Sequence, residues 1–257
     1  NSLQQQAMNS QVGFDYEYWH KILAHCDPRL VPKLVGKVEN MHISNAKTNQ
    51  LWYEHHKCAG CELGKAKHHH FKRNPMQSKK IGCIHLDHKS RGTKAIVTNN
   101  TGYFLMWDEA SGVTCAMPSN NKRGNTQLAA FKAFEAEYEK NGHKIYEIHC
   151  DGGGEYVNKE TMDYWKLDKK YTIIMTPPHT PQDNSRAERK IQTIDNKLNA
   201  VLQDYHLSDK YWEQALLYVV MIENMVTSTN RPDVVPYTAF TGLPCDYSKL
   251  RMPFGTL

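Results

Sequence analysis

The succession of hydrophobic periodicities from Ile81 onward constrains the fold of this chain more than any other feature. Three short runs rich in strand formers, Ile81 to His88, Tyr103 to Asp108 and Val113 to Met117, are separated by Asn99, Asn100 and Gly102 and then by Ser111 and Gly112. Consecutive strands with turn signals of this kind predict a meander. Leu128, Phe131, Phe134 and Tyr138 then mark one face of a helix that stops at Asn141-Gly142, and Lys144 to Asp151 reads as a new strand. A helix that returns the chain to a strand beside the first makes a right-handed crossover. After a short helix around Glu160 to Leu167 and a strand from Tyr171 to Met175, a Pro-rich loop (Pro177, Pro178, Pro181) leads into a long helix with Ile191, Ile194, Leu198, Val201 and Leu202 on one face. A second helix, Asp209 to about Met225, carries Trp212, Leu216, Val219 and Val220. The order βββ-α-β-α-β-α predicts an α/β fold with a mixed sheet flanked by helices.

Ahead of this unit, Tyr16 to about Gly64 reads as short helices with too little apolar material for a core of its own. What the segment has instead is two pairs of ligand-type residues: His20 and His25 on a helical pattern, and Cys58 and Cys61 separated by two residues. Two close pairs of this chemistry suit a closed tetrahedral Zn²⁺ site, in which each pair comes from one turn and the metal joins the turns. A redox pair or two buried thiols would also explain Cys58 and Cys61, and Cys26, His55 and His56 are competing ligands nearby. Zinc is the favoured reading because structural metal contributes folding free energy directly where a core is lacking.

Composition narrows the class further. With 40% hydrophobic and 23% charged residues and no apolar run of bilayer length, the chain is globular and neither disordered nor membrane-spanning. Asn1 to Val12 is polar and Gln-rich, without the pattern of a secretory signal, so a reducing compartment is expected and metal is favoured over disulfides for the seven cysteines. The net charge of +5 permits a nucleic-acid partner without requiring one. Cations cluster in the stretch between Glu62 and Lys80, where Lys65, Lys67, Lys72 and Arg73 surround His68 to His70; this reads as a basic, extended linker at residues 65–80.

Three carboxylates stand out by position. Asp87 lies inside the first strand, Asp151 ends the strand after the crossover helix, and Glu188 opens the long helix. Among 27 acidic residues spacing alone is weak evidence, but two neighbouring strands and a helix start are able to bring three carboxylates into one site for divalent ions. His85 and His149 each precede an Asp by two residues and share its strand face; they read as polar surface rather than as partners of the site.

Taken together, Trp19-His20 through His25, Cys58-Ala-Gly-Cys61-Glu-Leu-Gly64-Lys65, Ile84-His-Leu-Asp87, Asp151-Gly-Gly-Gly-Glu155-Tyr156, Thr180-Pro-Gln-Asp-Asn184-Ser-Arg-Ala-Glu188-Arg189 and Gly242-Leu-Pro with Phe254-Gly255 resemble the integrases of copia-type LTR retrotransposons. The resemblance covers roughly Trp19 to Gly255. It implies a small helical His/His/Cys/Cys zinc-binding domain (14–64), the linker, an RNase-H-like catalytic core (81–227) and an extension of that core (228–257). It also implies structural Zn²⁺ on His20, His25, Cys58 and Cys61, and two Mg²⁺ or Mn²⁺ ions on Asp87, Asp151 and Glu188, with strand transfer of element DNA 3′ ends as the reaction. Implied partners are double-stranded DNA, further copies of the chain and a host chromatin or transcription-machinery factor, with the nucleus and cytoplasm as the compartments. Arg186, Arg189 and Lys190 join the linker cations as expected phosphate contacts. The family's usual Gly-Pro after the first Asp is here Ser90-Arg91, Gly152 replaces Asn, and Ser185 replaces Gly. Retroviral relatives place Lys four and seven residues after the Glu, where this chain has Gln192 and Asp195. A non-catalytic DNA- or chromatin-binding module, or a related nuclease or transposase, is the rival expectation.

Overall fold

The computed structural model describes residues 14–44, 58–64, 80–121, 124–152, 158–176, 185–229, 231–248, 250 and 254. Among the described residues, three short α-helices come first: α1 (Tyr16–Ile22), α2 (Val31–Leu34) and α3 (Ala59–Gly64). Strands β1 (Cys83–Ser90), β2 (Gly102–Asp108) and β3 (Thr114–Ser119) follow as the expected antiparallel meander. Helix α4 (Gly124–Lys140) crosses over to β4 (Glu147–Asp151), and α5 (Lys159–Asp163) leads to β5 (Thr172–Thr176). Both late strands add in parallel on the free side of β1, so the order across the sheet is β3-β2-β1-β4-β5. That order and these directions are those of the RNase-H-like fold. Helices α6 (Ser185–Asp204), α7 (Trp212–Met225) and α8 (Pro236–Thr241) follow, and no helix among the described residues is long and apolar enough to cross a membrane.

Strand alternation sorts the sheet into two unlike faces. One face presents Ile84, Leu86, Phe104, Met106, Ile148 and Cys150 to Phe131, Phe134 and Tyr138 of α4, forming an apolar layer. The opposite face carries Cys83, His85 and Asp87 on β1 beside Glu147, His149 and Asp151 on β4. Helix α6 lies against that face and contacts β1.

The short N-terminal helices do not build a core alone, as their composition requires, and they share one with later elements. Trp19, Ile22, Leu23 and Leu34 belong to one buried cluster with Ile194 and Leu198 of α6, Leu216 and Val219 of α7, and Tyr247. The C-terminal stretch joins the same body: Glu39 N–H donates to Cys245 O at 3.1 Å, Tyr247 N–H donates back to Glu39 O, and Asn40 Nδ2 donates to Asp246 Oδ1 at 2.8 Å. Glycine makes the closest approach possible, because a Cβ on Gly64 would stand 2.5 Å from Ala200 N of α6. The segments expected as 14–64, 81–227 and 228–257 therefore share one hydrophobic cluster.

Candidate active site and metal centre

His20 and His25 do not both lie on α1. Five residues of helix turn through about 500°, which would leave the two side chains about 140° apart. Instead α1 ends at Ile22, and Ala24 (φ 50°) and His25 (φ 54°) adopt left-handed backbone that folds His25 back toward His20. Non-glycine residues held there cost on the order of 1–3 kcal/mol each and persist only where the surroundings impose them. The result sets the two rings 5.0 Å apart and nearly perpendicular.

The sulfurs of Cys58 and Cys61 meet these rings. His20 Nε2 lies 3.3 Å from Cys61 Sγ, and His25 Nδ1 lies 3.3 Å from Cys58 Sγ and 3.6 Å from Cys61 Sγ. For zinc with ordinary bond lengths and a tetrahedral angle the N···S edge should be about 3.6 Å, so the donor set has the right size for the ion. Outer contacts fix the ring orientations. His20 Nδ1 lies 2.8 Å from Cys26 O, and a carbonyl only accepts, so Nδ1 carries the proton and Nε2 keeps its lone pair for a metal. His25 Nε2 lies 3.6 Å from Asp204 Oδ2 at the end of α6. Hydrogen bonding from Cys61, outweighing the effect of burial and reinforced by His20 and His25, drives the Cys58 thiol far below its ordinary pKa, toward the thiolate that zinc requires.

The expected catalytic carboxylates occupy the polar face of the sheet. Residues Cys83 to His85 pair with Glu147 to His149, and the same offset carried two residues further would bring Asp87, inside β1, level with Asp151 at the end of the adjacent parallel strand β4. Both are half-buried, and Glu188 is exposed in the first turn of α6. The three do not form a group of ligand atoms within 4.8 Å of one another among the described residues. Asp87 Oδ1 accepts from His88 N–H at 2.7 Å.

Two residues at which the chain departs from the proteins it resembles, Arg91 and Asp195, meet here. Arg91 Nη1 lies 3.3 Å from Asp195 Oδ1, and Lys89 Nζ 3.7 Å from Asp195 Oδ2. Tyr103 donates to Asp195 Oδ1 at 3.0 Å, and burial followed by the Asp195 charge keeps that hydroxyl protonated well above its ordinary pKa. The negative charge on α6 is thus matched by a cation at the exit of β1.

His85 is interior, not polar surface, and His149 is half-buried beside it. His85 is 2% exposed, and the two rings stack with centroids 4.5 Å apart. His85 Nε2 lies 3.1 Å from Glu109 Oε2, and His149 Nε2 lies 2.6 Å from Glu147 Oε1. The polar-surface reading fails for His85, which the rings of Trp107 and His149 and the Glu109 carboxylate enclose, while His149 stays part-exposed. Sequence reading also missed Glu109, Glu147 and Asp204. The alternating Cys83-His85-Asp87 and Glu147-His149-Asp151 series was the available signal for the first layer; nothing local marks Asp204.

The expected DNA contacts divide. Lys190 Nζ is 2.6 Å from Glu223 Oε2 and Lys197 pairs with the other oxygen, while Arg186 pairs with buried Glu109. These cations neutralise interior carboxylates, a different task from binding phosphate. Arg189 is exposed. Lys65, Lys67, Lys72 and Arg73 lie outside the described residues, as does Glu155.

No protein-family model matches the chain. It is 25% identical over 247 residues to the retrovirus-related Pol polyprotein from transposon TNT 1-94 of Nicotiana tabacum, covering 95% of this chain and 18% of that protein. To the corresponding polyprotein from transposon RE1 of Arabidopsis thaliana it is 24% identical over 242 residues, covering 91% of this chain and 15% of the relative. The chain therefore spans less than a fifth of the length of these relatives. Among solved structures, the catalytic core domain of BIV integrase aligns with a TM-score of 0.46 at 14% identity, over 63% of this chain and 94% of that one.

Proposed function

We infer the activity of this chain from its family: it is a copia-type integrase, related over nearly its whole length to plant-transposon Pol polyproteins, and it joins the 3′ ends of element DNA to target DNA. The observation that carries this reading is the register of two neighbouring parallel strands, which sets Asp87 inside β1 beside Asp151 at the end of β4, with Glu188 in the first turn of the helix that contacts β1. Hard oxygen donors on three separate elements suit Mg²⁺ or Mn²⁺. Asp87, between the other two elements, would be shared by two ions, with Asp151 completing one set of ligands and Glu188 the other. Ions held there would supply activation of a DNA 3′-hydroxyl and charge stabilisation of the departing oxygen.

The chain's own residues prepare that site. Tyr103 and Arg91 hold Asp195 against β1, and α6 carries Glu188 over the sheet. His20, His25, Cys58 and Cys61 would hold a structural Zn²⁺ that ties α3 to α1 and the turn after it, beside Asp204 at the far end of α6. The linker cations and Arg189 are proposed to contact DNA phosphates, within an assembly of several copies that works in the nucleus after forming in the cytoplasm.

The test is Mg²⁺-dependent joining of a labelled element-end duplex to plasmid. Asp87→Asn, Asp151→Asn and Glu188→Gln should each abolish joining while zinc content stays normal, and Glu155→Gln should retain activity. A ligand variant that joins DNA at the wild-type rate removes that residue from the site. Wild type inert with both Mg²⁺ and Mn²⁺ would favour the second reading, a non-catalytic DNA-binding module, which the internal pairing of Lys190, Arg186 and Asp195 also supports.

A further inference from the structure

Glu109 follows β2 directly and is fully buried. Burying a carboxylate is unfavourable unless its oxygens are paired, and here both are. Oε2 lies 3.1 Å from His85 Nε2 and 3.7 Å from Cys83 Sγ, and Oε1 forms an ion pair with Arg186. The backbone of Glu109 is held as well: its N–H donates to Cys83 O at 3.0 Å, and its carbonyl accepts from Arg231 Nη1 at 3.3 Å. One side chain therefore grips β1 two residues before Asp87 and the first turn of α6 two residues before Glu188.

A metal on Cys83, His85 and His149 is the competing explanation for this cluster, since their ligand atoms lie within 4.8 Å of one another. The rings oppose it. They stack with only 22° between their planes, so their lone pairs run side by side instead of converging, and each Nε2 already faces a carboxylate.

We propose that Glu109 is a positioning residue that sets the separation between the strand bearing Asp87 and the helix start bearing Glu188, through His85 on one side and Arg186 on the other. The proposal rests on the carboxylate site of the preceding section. Its action is on ion affinity. Without the clamp, ligands on two elements must be gathered by the ion itself, and the cost appears as weaker binding. A partner bonded directly to a metal ligand is typically worth about 10–100-fold in affinity, and Glu109 acts one residue further out, so the low end of that range is expected.

The deciding measurement is a titration of Mn²⁺ into the zinc-loaded full chain, followed by electron paramagnetic resonance, for wild type, Glu109→Gln and Arg186→Gln, with melting temperature and zinc content recorded for each. Glu109→Gln should bind Mn²⁺ about 10-fold more weakly. It should need correspondingly more Mg²⁺ for half-maximal joining, with an unchanged dependence on DNA concentration. Wild-type Mn²⁺ affinity in a folded Glu109→Gln chain overturns the proposal. If that variant does not fold, Arg186→Gln decides in the same way: weaker binding supports the clamp and unchanged binding overturns it. Wild type that binds Mn²⁺ but joins no DNA refutes the integrase activity while the affinities still judge Glu109. Wild type that binds no Mn²⁺ overturns both.

Discussion

Replacing Gly64 by Ala adds one methyl group where α3 lies against α6. The new Cβ would stand 2.5 Å from Ala200 N, 2.6 Å from Ala200 Cα and 2.9 Å from Asn199 C, where ordinary contact begins at 3.4 Å. All three atoms are backbone, so no rotamer change relieves the clash and the helices must separate by about 1 Å, an overpacking strain of roughly 1–3 kcal/mol. Helix propensity acts the other way, since Ala is favoured over Gly by about 0.5–1 kcal/mol in a helix. The balance is a net loss of about 1–2 kcal/mol, which for a chain of this size lowers Tm by roughly 2–8 °C. Because Cys58 precedes α3 and Cys61 lies within it, the same displacement draws both sulfurs away from His20 and His25 and zinc affinity should fall with stability. Calorimetry of the zinc-loaded protein and zinc competition with a chromophoric chelator measure the two effects. Gly92→Ala is the control, since nothing lies within 4 Å of a Cβ there. Should Gly64→Ala melt at or above wild type with normal zinc affinity, α3 is not seated on α6 and the shared-core argument is wrong.

Cys58→Ser combined with Cys61→Ser should abolish stoichiometric zinc, and Asp204→Asn should weaken it about 10–100-fold by releasing the His25 ring; metal analysis after dialysis reads both. Burial alone would raise the Glu223 carboxyl, but Lys190 and Lys197 outweigh it and hold the group well below the ordinary carboxylate range. A depressed folded-state pKa contributes stability above the unfolded value that is lost as pH falls through the folded one. Glu223→Gln should therefore cost about 3–5 kcal/mol at neutral pH, and the gap to wild type should narrow only below about pH 4 in urea unfolding series. Neutralising Lys65, Lys67, Lys72 and Arg73 should lower DNA affinity and flatten its logarithmic salt slope by up to about 0.9 for each phosphate that is no longer neutralised; an unchanged slope removes the linker from the interface.

Much of this molecule was legible in one dimension because the relevant physics is local. Period-two runs and the 3.6-residue stripe of Ile191, Ile194 and Leu198 identified strands and the long helix, and their order was enough to expect a mixed sheet. Asp87 within the first strand and Asp151 at the end of the fourth were legible for the same reason, and Cys58 with Cys61 because of their two-residue spacing. What the periodicities left open, tertiary contact decided. Strand order and register set Asp87 beside Asp151, and a left-handed turn at Ala24 and His25, which no glycine announces, closed the zinc ligand set. Burial made His85 and Glu109 the interior pair that helps hold β1 to α6. Packing also joined the N-terminal helices to the elements that follow the sheet, since Leu34 and Tyr247 share one buried cluster with helices far along the chain. Local periodicity reports only which face of an element is apolar. Which other element covers that face, and which charge meets a buried carboxylate, depends on the low-dielectric interior that the folded chain creates.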